Sequence, residues 1–224
     1  GVDAVNGGSG DDKLSDGAGA DVVMAGTGDD HVIAAADGAS DLYNGGEGDD
    51  TLDYSTATLT VTIDLGRGHA KGSEIGEDLI ESFEEVIGGD GDDELIAGSG
   101  SARMTGGGGN DKFSFDDDDD DDRPDYVRQI TDFSIGDRLI VASYEMRYRE
   151  GEDIADEIED MFDDIYLTGG NGRPVRLRFE ERDDDEDRTY VDVFRNDSEE
   201  AFSIELFGYH RGLEVTITVG NGLP

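Results

Sequence analysis

One apolar residue recurs on a nine-residue beat. Val5, Leu14, Val23 and Val32 stand nine apart, Tyr43 follows after eleven because Ala34 and Ala35 add two residues, and Leu52 comes nine later. The beat resumes at Val86, Leu95, Met104 and Phe113. Such a period fits neither a 3.6-residue helix nor a plain alternating strand. It predicts a strand of about three residues around each inward apolar side chain, followed by a tight turn. Glycines keep the same beat, in Gly7-Gly8-Ser9-Gly10, Gly17-Ala18-Gly19, Gly26-Thr27-Gly28, Gly45-Gly46-Glu47-Gly48, Gly88-Gly89-Asp90-Gly91 and Gly106-Gly107-Gly108-Gly109. Glycine permits positive φ and close backbone approach, so each cluster turns the chain sharply.

The polar positions are as regular. Two residues before each apolar position stand Asp3, Asp12, Asp21, Asp30, Asp41 and Asp50, then Glu84, Asp93, Ala102 and Asp111. A glycine-rich acidic linker would not keep an apolar residue two after each aspartate. The turns aim carbonyl oxygens at one point and the aspartates add carboxylates, which makes an oxygen-only cage for a hard cation. Ca²⁺ takes 6–8 such ligands. One loop cannot supply them, whereas two loops stacked one coil apart can. The candidate metal ligands are therefore Asp3, Asp12, Asp21, Asp30, Asp41, Asp50, Asp93 and Asp111. With them come the loop residues Gly8, Gly10, Gly17, Gly19, Gly26, Gly28, Gly46, Gly48, Gly89, Gly91, Gly98, Gly100, Gly107 and Gly109.

The pattern resembles the calcium-binding nonapeptide repeats of RTX proteins, G-G-x-G-x-D-x-U-x, which build a parallel β-roll. The resemblance implies two nonapeptides per coil, with metals between loops two repeats apart. Carried onto this chain, it pairs Asp3 with Asp21, Asp12 with Asp30, Asp21 with Asp41, Asp30 with Asp50, and Asp93 with Asp111. Departures from the pattern predict weakened sites. Ala102 lacks a carboxylate, Glu84 lacks preceding glycines, Ala39 replaces a turn glycine, and Ala34-Ala35 breaks the phase next to Asp41.

Beyond Leu52, the alternation of Leu59, Val61, Ile63 and Leu65 with Thr60, Thr62 and Asp64 predicts a half-buried strand. Residues 54–87 are read as longer, non-repeat coils of the same roll. This order of segments resembles the C-terminal domain of serralysin-type secreted proteins. The resemblance continues through KFSF at 112–115, which is expected to close the roll. YVRQITDFSIGDRLIV at 126–141 looks like the family's capping segment, with Val127, Ile130, Phe133, Leu139 and Ile140 covering the open end. Asp116 to Asp122 are seven consecutive aspartates, read as a solvated loop. Ile154, Ile158, Met161, Phe162 and Ile165 fall on one helical face and predict a helix over 150–165. PVRLRFEER, TYVDVFRND, AFSIELFGY and EVTITVG alternate as strands and predict an antiparallel meander of three or four, with 183–188 as a hairpin tip.

Charge narrows the partners. The chain has 224 residues, 58 acidic and 17 basic, for a net charge of -41. Phosphate contacts need Lys and Arg, so nucleic acid is excluded. An anionic membrane surface is disfavoured. No apolar run approaches the ~20 residues of a membrane span. Without cysteine there are neither disulfides nor thiolate metal sites. The chain opens on Gly1 without a signal peptide and reads as a fragment or processed form. His31, His69 and His210 do not form H-E-x-x-H, the motif serralysins carry in a separate upstream domain, so no catalytic residue is assigned. No G-x-S-x-G elbow or phosphate-binding loop is present.

The expected architecture is all-β. Residues 1–115 form a calcium-binding parallel β-roll, and residues 116–224 an acidic loop and C-terminal cap with a meander and one helix. The expected function is a calcium-binding module that folds when Ca²⁺ neutralises its acidic loops. Type I secretion, and an extracellular location, are what the resemblance implies. The alternative is a calcium-dependent adhesion module binding cell-surface polysaccharide through aromatics of residues 142–224, among them Tyr144, Tyr148, Tyr166, Phe179, Tyr190, Phe194, Phe202, Phe207 and Tyr209. Most of these fall in the strand pattern, which reads as core.

Overall fold

The computed structural model describes residues 1–115, 127–141, 144–148, 164–167, 175–180, 188–196, 199–207 and 213–217. The first three coils hold two strands each: β1 (Ala4–Ser9) and β2 (Lys13–Ser15), β3 (Val22–Thr27) and β4 (His31–Ile33), β5 (Leu42–Glu47) and β6 (Thr51–Asp53). Then come β7 (Val61–Asp64), β8 (His69–Gly72), β9 (Gly76–Glu81) and β10 (Glu85–Ile87). Two more coils follow as β11 (Glu94–Ile96) with β12 (Ala102–Thr105), and β13 (Lys112–Phe115) with β14 (Arg128–Ile130). The C-terminal strands are β15 (Arg138–Val141), β16 (Tyr144–Tyr148), β17 (Asp164–Leu167), β18 (Val175–Glu180), β19 (Arg188–Asn196), β20 (Glu199–Phe207) and β21 (Leu213–Ile217).

Among the described residues these strands make two sheets. One runs β1-β3-β5-β9-β8-β7-β11-β13-β15-β16-β21, the other β17-β18-β19-β20-β14-β12-β10-β6-β4-β2. Each coil lays one strand in each sheet, and its strands pair in parallel with those of the next coil. Ala4 pairs with Val22 and Lys13 with His31, so one coil is two nonapeptides. The two residues added at Ala34-Ala35 lengthen one coil without disturbing the pairing, and Val22 meets Leu42 as His31 meets Thr51.

The apolar beat forms the core between the sheets. Val23, Val32, Tyr43, Leu52, Val86, Leu95, Met104 and Phe113 are fully buried. At the N-terminal end, Val5 and Leu14 are only partly buried against that core.

Two segments take a more specific form than the sequence suggested. The block over 54–87 stays within the roll, with β7, β9 and β10 pairing in parallel with neighbouring coils. Strands β7, β8 and β9 form an antiparallel run inserted in one sheet, between β5 and β11, while β6 and β10 pair directly in the other. The segment expected to cap the roll, at 127–141, covers the preceding coil as one further coil. Strand β14 pairs in parallel with β12 and β15 with β13, burying Ile130, Phe133 and Leu139 and leaving Val127 exposed. The helix expected over 150–165 lies largely outside the described residues, and no helix occurs among those described. Ile165 lies in β17, paired with Leu177 of β18, while Ile154, Ile158, Met161 and Phe162 lie outside the described residues. A spacing argument over so short an apolar set does not separate helix from strand, and the long-range partner decides. The aspartate run at 116–122 also lies outside the described residues.

The meander exists as β17 to β20, joined antiparallel. It extends one sheet through the β20–β14 pairing, whereas β21 joins the other sheet beside β16.

Glycine stacking generates a test. Gly8 has φ 101° but open space where a side chain would go, so Gly8→Ala costs only backbone strain, about 1–3 kcal/mol. Gly46 has φ 110° and lies on the Gly26 carbonyl oxygen, so Gly46→Ala adds overpacking of about 1–3 kcal/mol. Chemical denaturation at saturating calcium compares them, and equal losses would contradict the stacking.

Candidate metal centre

The loops form two columns. Loops leading from the first sheet to the second carry Asp12, Asp30, Asp50 and Glu84. Those leading back carry Asp21, Asp41, Asp93, Asp111 and Asp137, with Asp3 ahead of β1 and Asp78 within β9 of the first sheet. Within each column the backbone N–H of one carboxylate residue donates to the carboxylate one coil on. Asp12 N–H donates to Asp30 Oδ1 at 2.8 Å, Asp30 to Asp50 Oδ1 at 2.8 Å, and Asp50 to Glu84 Oε2 at 3.0 Å. In the other column Asp3 donates to Asp21 Oδ1 at 2.6 Å, Asp21 to Asp41 Oδ1 at 2.6 Å, and Asp41 to Asp78 Oδ1 at 2.9 Å. The insert interrupts that column. It restarts with Val61 N–H donating to Asp93, followed by Asp93 to Asp111 and Asp111 to Asp137, each at 2.8 Å.

Every expected aspartate pair is thus brought together. The glycines follow. Gly8, Gly26 and Gly46 stack so that each later Cα faces the carbonyl of the one before. Gly10, Gly28 and Gly48 do the same, as do Gly89 with Gly107 and Gly91 with Gly109. Gly19 lies against the Gly1 carbonyl, and Gly17 faces open space. Gly98 and Gly100 are not joined to the ladder: Gly98 packs on Gly66, and Ala102 donates its N–H to the Val127 carbonyl.

The ladder takes one oxygen of Asp21, Asp30 and Asp50 and leaves the other. Asp12, Asp21, Asp30 and Asp50 each keep a buried Oδ2 that accepts no hydrogen bond from the protein. A buried acceptor without a donor is costly, so these atoms point to a ligand. Carboxylate and carbonyl oxygens, with no thiolate or imidazole among them, suit a hard cation. Asp93 differs, because its Oδ2 accepts the Gly89 N–H at 2.6 Å. Asp78 also differs, because Tyr54 donates its hydroxyl to Asp78 Oδ2 at 2.9 Å and both oxygens are used.

Burial governs the charge of these groups. It pushes the carboxyls of Asp41, Asp50, Glu84, Asp93 and Asp137 above their ordinary range. Asp78 and Asp111 are pushed up to about 7, first by burial and then by neighbouring carboxylates, against hydrogen bonds that pull them down. The metal-free columns are crowded with groups that resist ionisation.

Sequence reasoning missed Asp78, Asp137 and Asp16. Gly76-Glu77-Asp78-Leu79-Ile80 repeats the second half of the motif, and Gly76 has φ 79°. Gly136-Asp137-Arg138-Leu139 keeps the carboxylate two before an apolar residue. Glu84 was expected to form a weakened site, yet it takes its place in the ladder. Ser82, two before it, adopts the left-handed conformation that glycine adopts in neighbouring loops, with φ 56°.

Comparison with known families fits this geometry. Residues 1–32 match the RTX calcium-binding nonapeptide repeat in four copies. Residues 42–217 match the peptidase M10 serralysin C-terminal domain. No curated protein matches the chain. Repeats of the RTX type bind Ca²⁺, and both modules are non-catalytic parts typical of secreted proteins. Among the described residues no helix is long and apolar enough to cross a membrane. With the match covering most of its length, the chain belongs to the peptidase M10 serralysin C-terminal family and opens on calcium-binding RTX repeats.

Proposed function

We propose that this chain is a calcium-switched folding module, carried by a secreted protein through type I export and ordered by calcium outside the cell. The observation that carries this reading is the set of buried Oδ2 atoms without a donor, on Asp12, Asp21, Asp30 and Asp50, in loops whose glycines stack coil on coil. In this reading a calcium ion lies between successive loops, held by carboxylate oxygens of Asp3/Asp21, Asp12/Asp30, Asp21/Asp41, Asp30/Asp50 and Asp93/Asp111, of which Asp12, Asp21, Asp30 and Asp50 keep an open Oδ2. Carbonyls of the stacked glycine loops complete the set. Asp50/Glu84 and Asp111/Asp137 extend the series by the same ladder geometry.

Each ion neutralises about two carboxylates and joins two coils, whose strands otherwise meet mainly their neighbours. Low calcium then favours an extended, self-repelling chain suited to export, and extracellular calcium near ~1 mM favours the roll. No observation favours the polysaccharide reading. Among the described aromatics, Phe207 packs beneath Arg103 at 5.6 Å, and Tyr190 donates to Glu205 at 3.4 Å.

Circular dichroism during a calcium titration tests the switch. The expected result is a cooperative coil-to-β transition at roughly 10⁻⁴–10⁻³ M Ca²⁺ that magnesium does not produce. A roll already formed in chelator would sink the switch. The double variant Asp93→Ala with Asp111→Ala is expected to bind one ion fewer by calorimetry and to loosen the adjoining end of the roll. Full stoichiometry in that variant would contradict the pairing.

Protons should partly replace calcium. Asp78 and Asp111 hold their protons more tightly folded, near 7, than unfolded, near 3.8. As pH rises between those values the unfolded chain ionises first, so metal-free stability is greatest at the acidic end and is lost towards pH 7. In chelator, lowering the pH from about 8 to about 5 is expected to increase β-structure, and calcium binding at about pH 7 to release protons. β-Structure that falls with the pH in chelator would contradict the assigned burial.

A further inference from the structure

Asp16 occupies the place that other loops give to their first glycine. Asp16-Gly17-Ala18-Gly19-Ala20-Asp21 stands where the preceding repeat reads Gly7-Gly8-Ser9-Gly10-Asp11-Asp12. That one exchange puts a third carboxylate beside Asp21 and Asp41. Each of the three offers an oxygen within 4.8 Å of the other two. Their residues are 6%, 2% and 4% exposed, in that order.

The hydrogen bonds around them leave two atoms over. Asp21 Oδ1 accepts from Asp3 N–H and Asp41 Oδ1 from Asp21 N–H, both at 2.6 Å. The Tyr43 hydroxyl is bonded to Asp16 Oδ2 and lies 3.2 Å from Asp41 Oδ2. Asp16 Oδ1 and Asp21 Oδ2 are buried and accept nothing from the protein. Among the described residues no Lys, Arg or His forms an ion pair with any of the three. Three buried carboxylates with one phenolic proton between them cannot all stay charged without a cation.

We infer that Asp16, Asp21 and Asp41 form a three-carboxylate cation site, distinct from the two-carboxylate loop sites and the tightest in the roll. The inference rests on the calcium reading above and adds a ligand and a selectivity to one of its positions. Ligand charge sets the affinity of oxygen sites for calcium, so the extra carboxylate strengthens this one. It also matches the charge of a trivalent lanthanide. The Tyr43 hydroxyl lies within hydrogen-bond distance of two of the ligands, so an ion bound there would sit close to its ring, which would act as a built-in sensitiser. The chain contains no tryptophan to compete with it.

The test uses the full chain with two probes, calcium by calorimetry and terbium(III) by tyrosine-sensitised luminescence. The first terbium equivalent is expected to emit on tyrosine excitation, and Tyr43→Phe to remove most of that emission. Asp16→Asn keeps an acceptor for Tyr43 and removes one charge. It is expected to weaken the tightest calcium class at least about tenfold. Asp16→Gly, which restores the ordinary loop, should do the same while the remaining sites still fill. Unchanged affinity of the tightest class in either variant overturns the proposal. So does a first terbium equivalent that stays dark in the parent chain, a result that needs no variant to fold. A roll already folded in chelator, with the tight class intact, would sink the switch and leave this site standing. A calcium-driven transition in the parent chain, with the tight class unmoved by Asp16→Asn, would do the reverse.

Discussion

Stacked carboxylates one coil apart are the constraint on which the structure depends. Parallel strands lie ~4.8 Å apart, so a repeat that places a carboxylate in every loop places like charges at about that spacing. Two unit charges about 5 Å apart repel by roughly 3 kcal/mol at an effective dielectric near 20. A whole domain is stable by only about 5–15 kcal/mol. Two or three uncompensated contacts of this kind would therefore cancel the core. The backbone N–H that each residue sends to the next carboxylate offsets part of the cost, as from Asp12 to Asp30. It also fixes which oxygen remains open on Asp21, Asp30 and Asp50.

The insert divides these columns. In the sheet that carries it, β8 and β7 separate β9 from β11, while in the other sheet β10 meets β12 directly. The column from Asp3 ends at Asp78, where Tyr54 takes the second oxygen, and a new column begins at Val61 and Asp93. A tyrosine hydroxyl thus closes the last carboxylate of the first stack from inside the core. Tyr43 and Tyr54, edge to face at 6.4 Å, carry polar tips into an otherwise apolar interior because the aspartate column supplies acceptors there.

How much could be read in advance follows from which features are local. The inward residues were legible in the nine-residue period, whereas the coil length and the aspartate pairs came from the resemblance to RTX repeats that this period supports. Asp78 and Asp137 were legible in principle, since each keeps the carboxylate two before an apolar residue, but neither sits behind a full glycine cluster. The role of Asp16 was hidden. Its effect depends on Asp41, a coil away, and on a tyrosine at a position that usually carries an aliphatic residue. The antiparallel run β7–β9 was hidden too. Gly66-Arg67-Gly68 announces a turn, but nothing local tells Val61 to pair with Gly72 instead of with a parallel neighbour. Of the apolar set expected on one helical face, only Ile165 lies among the described residues, and there pairing with Leu177 outweighs a spacing that also suits a helix.

Charge compensation alone would not favour a metal over a proton. A proton on Asp111 removes the same repulsion, and burial already moves that carboxyl towards neutral pH. A proton, however, satisfies one oxygen and leaves the two loops independent. A cation between them takes ligands from both and fixes their relative position to within a coordination distance. In a stack where each coil contacts chiefly the next, that link converts separate loop equilibria into one. Acid and calcium thus act on the same repulsion, but only calcium ties the coils together.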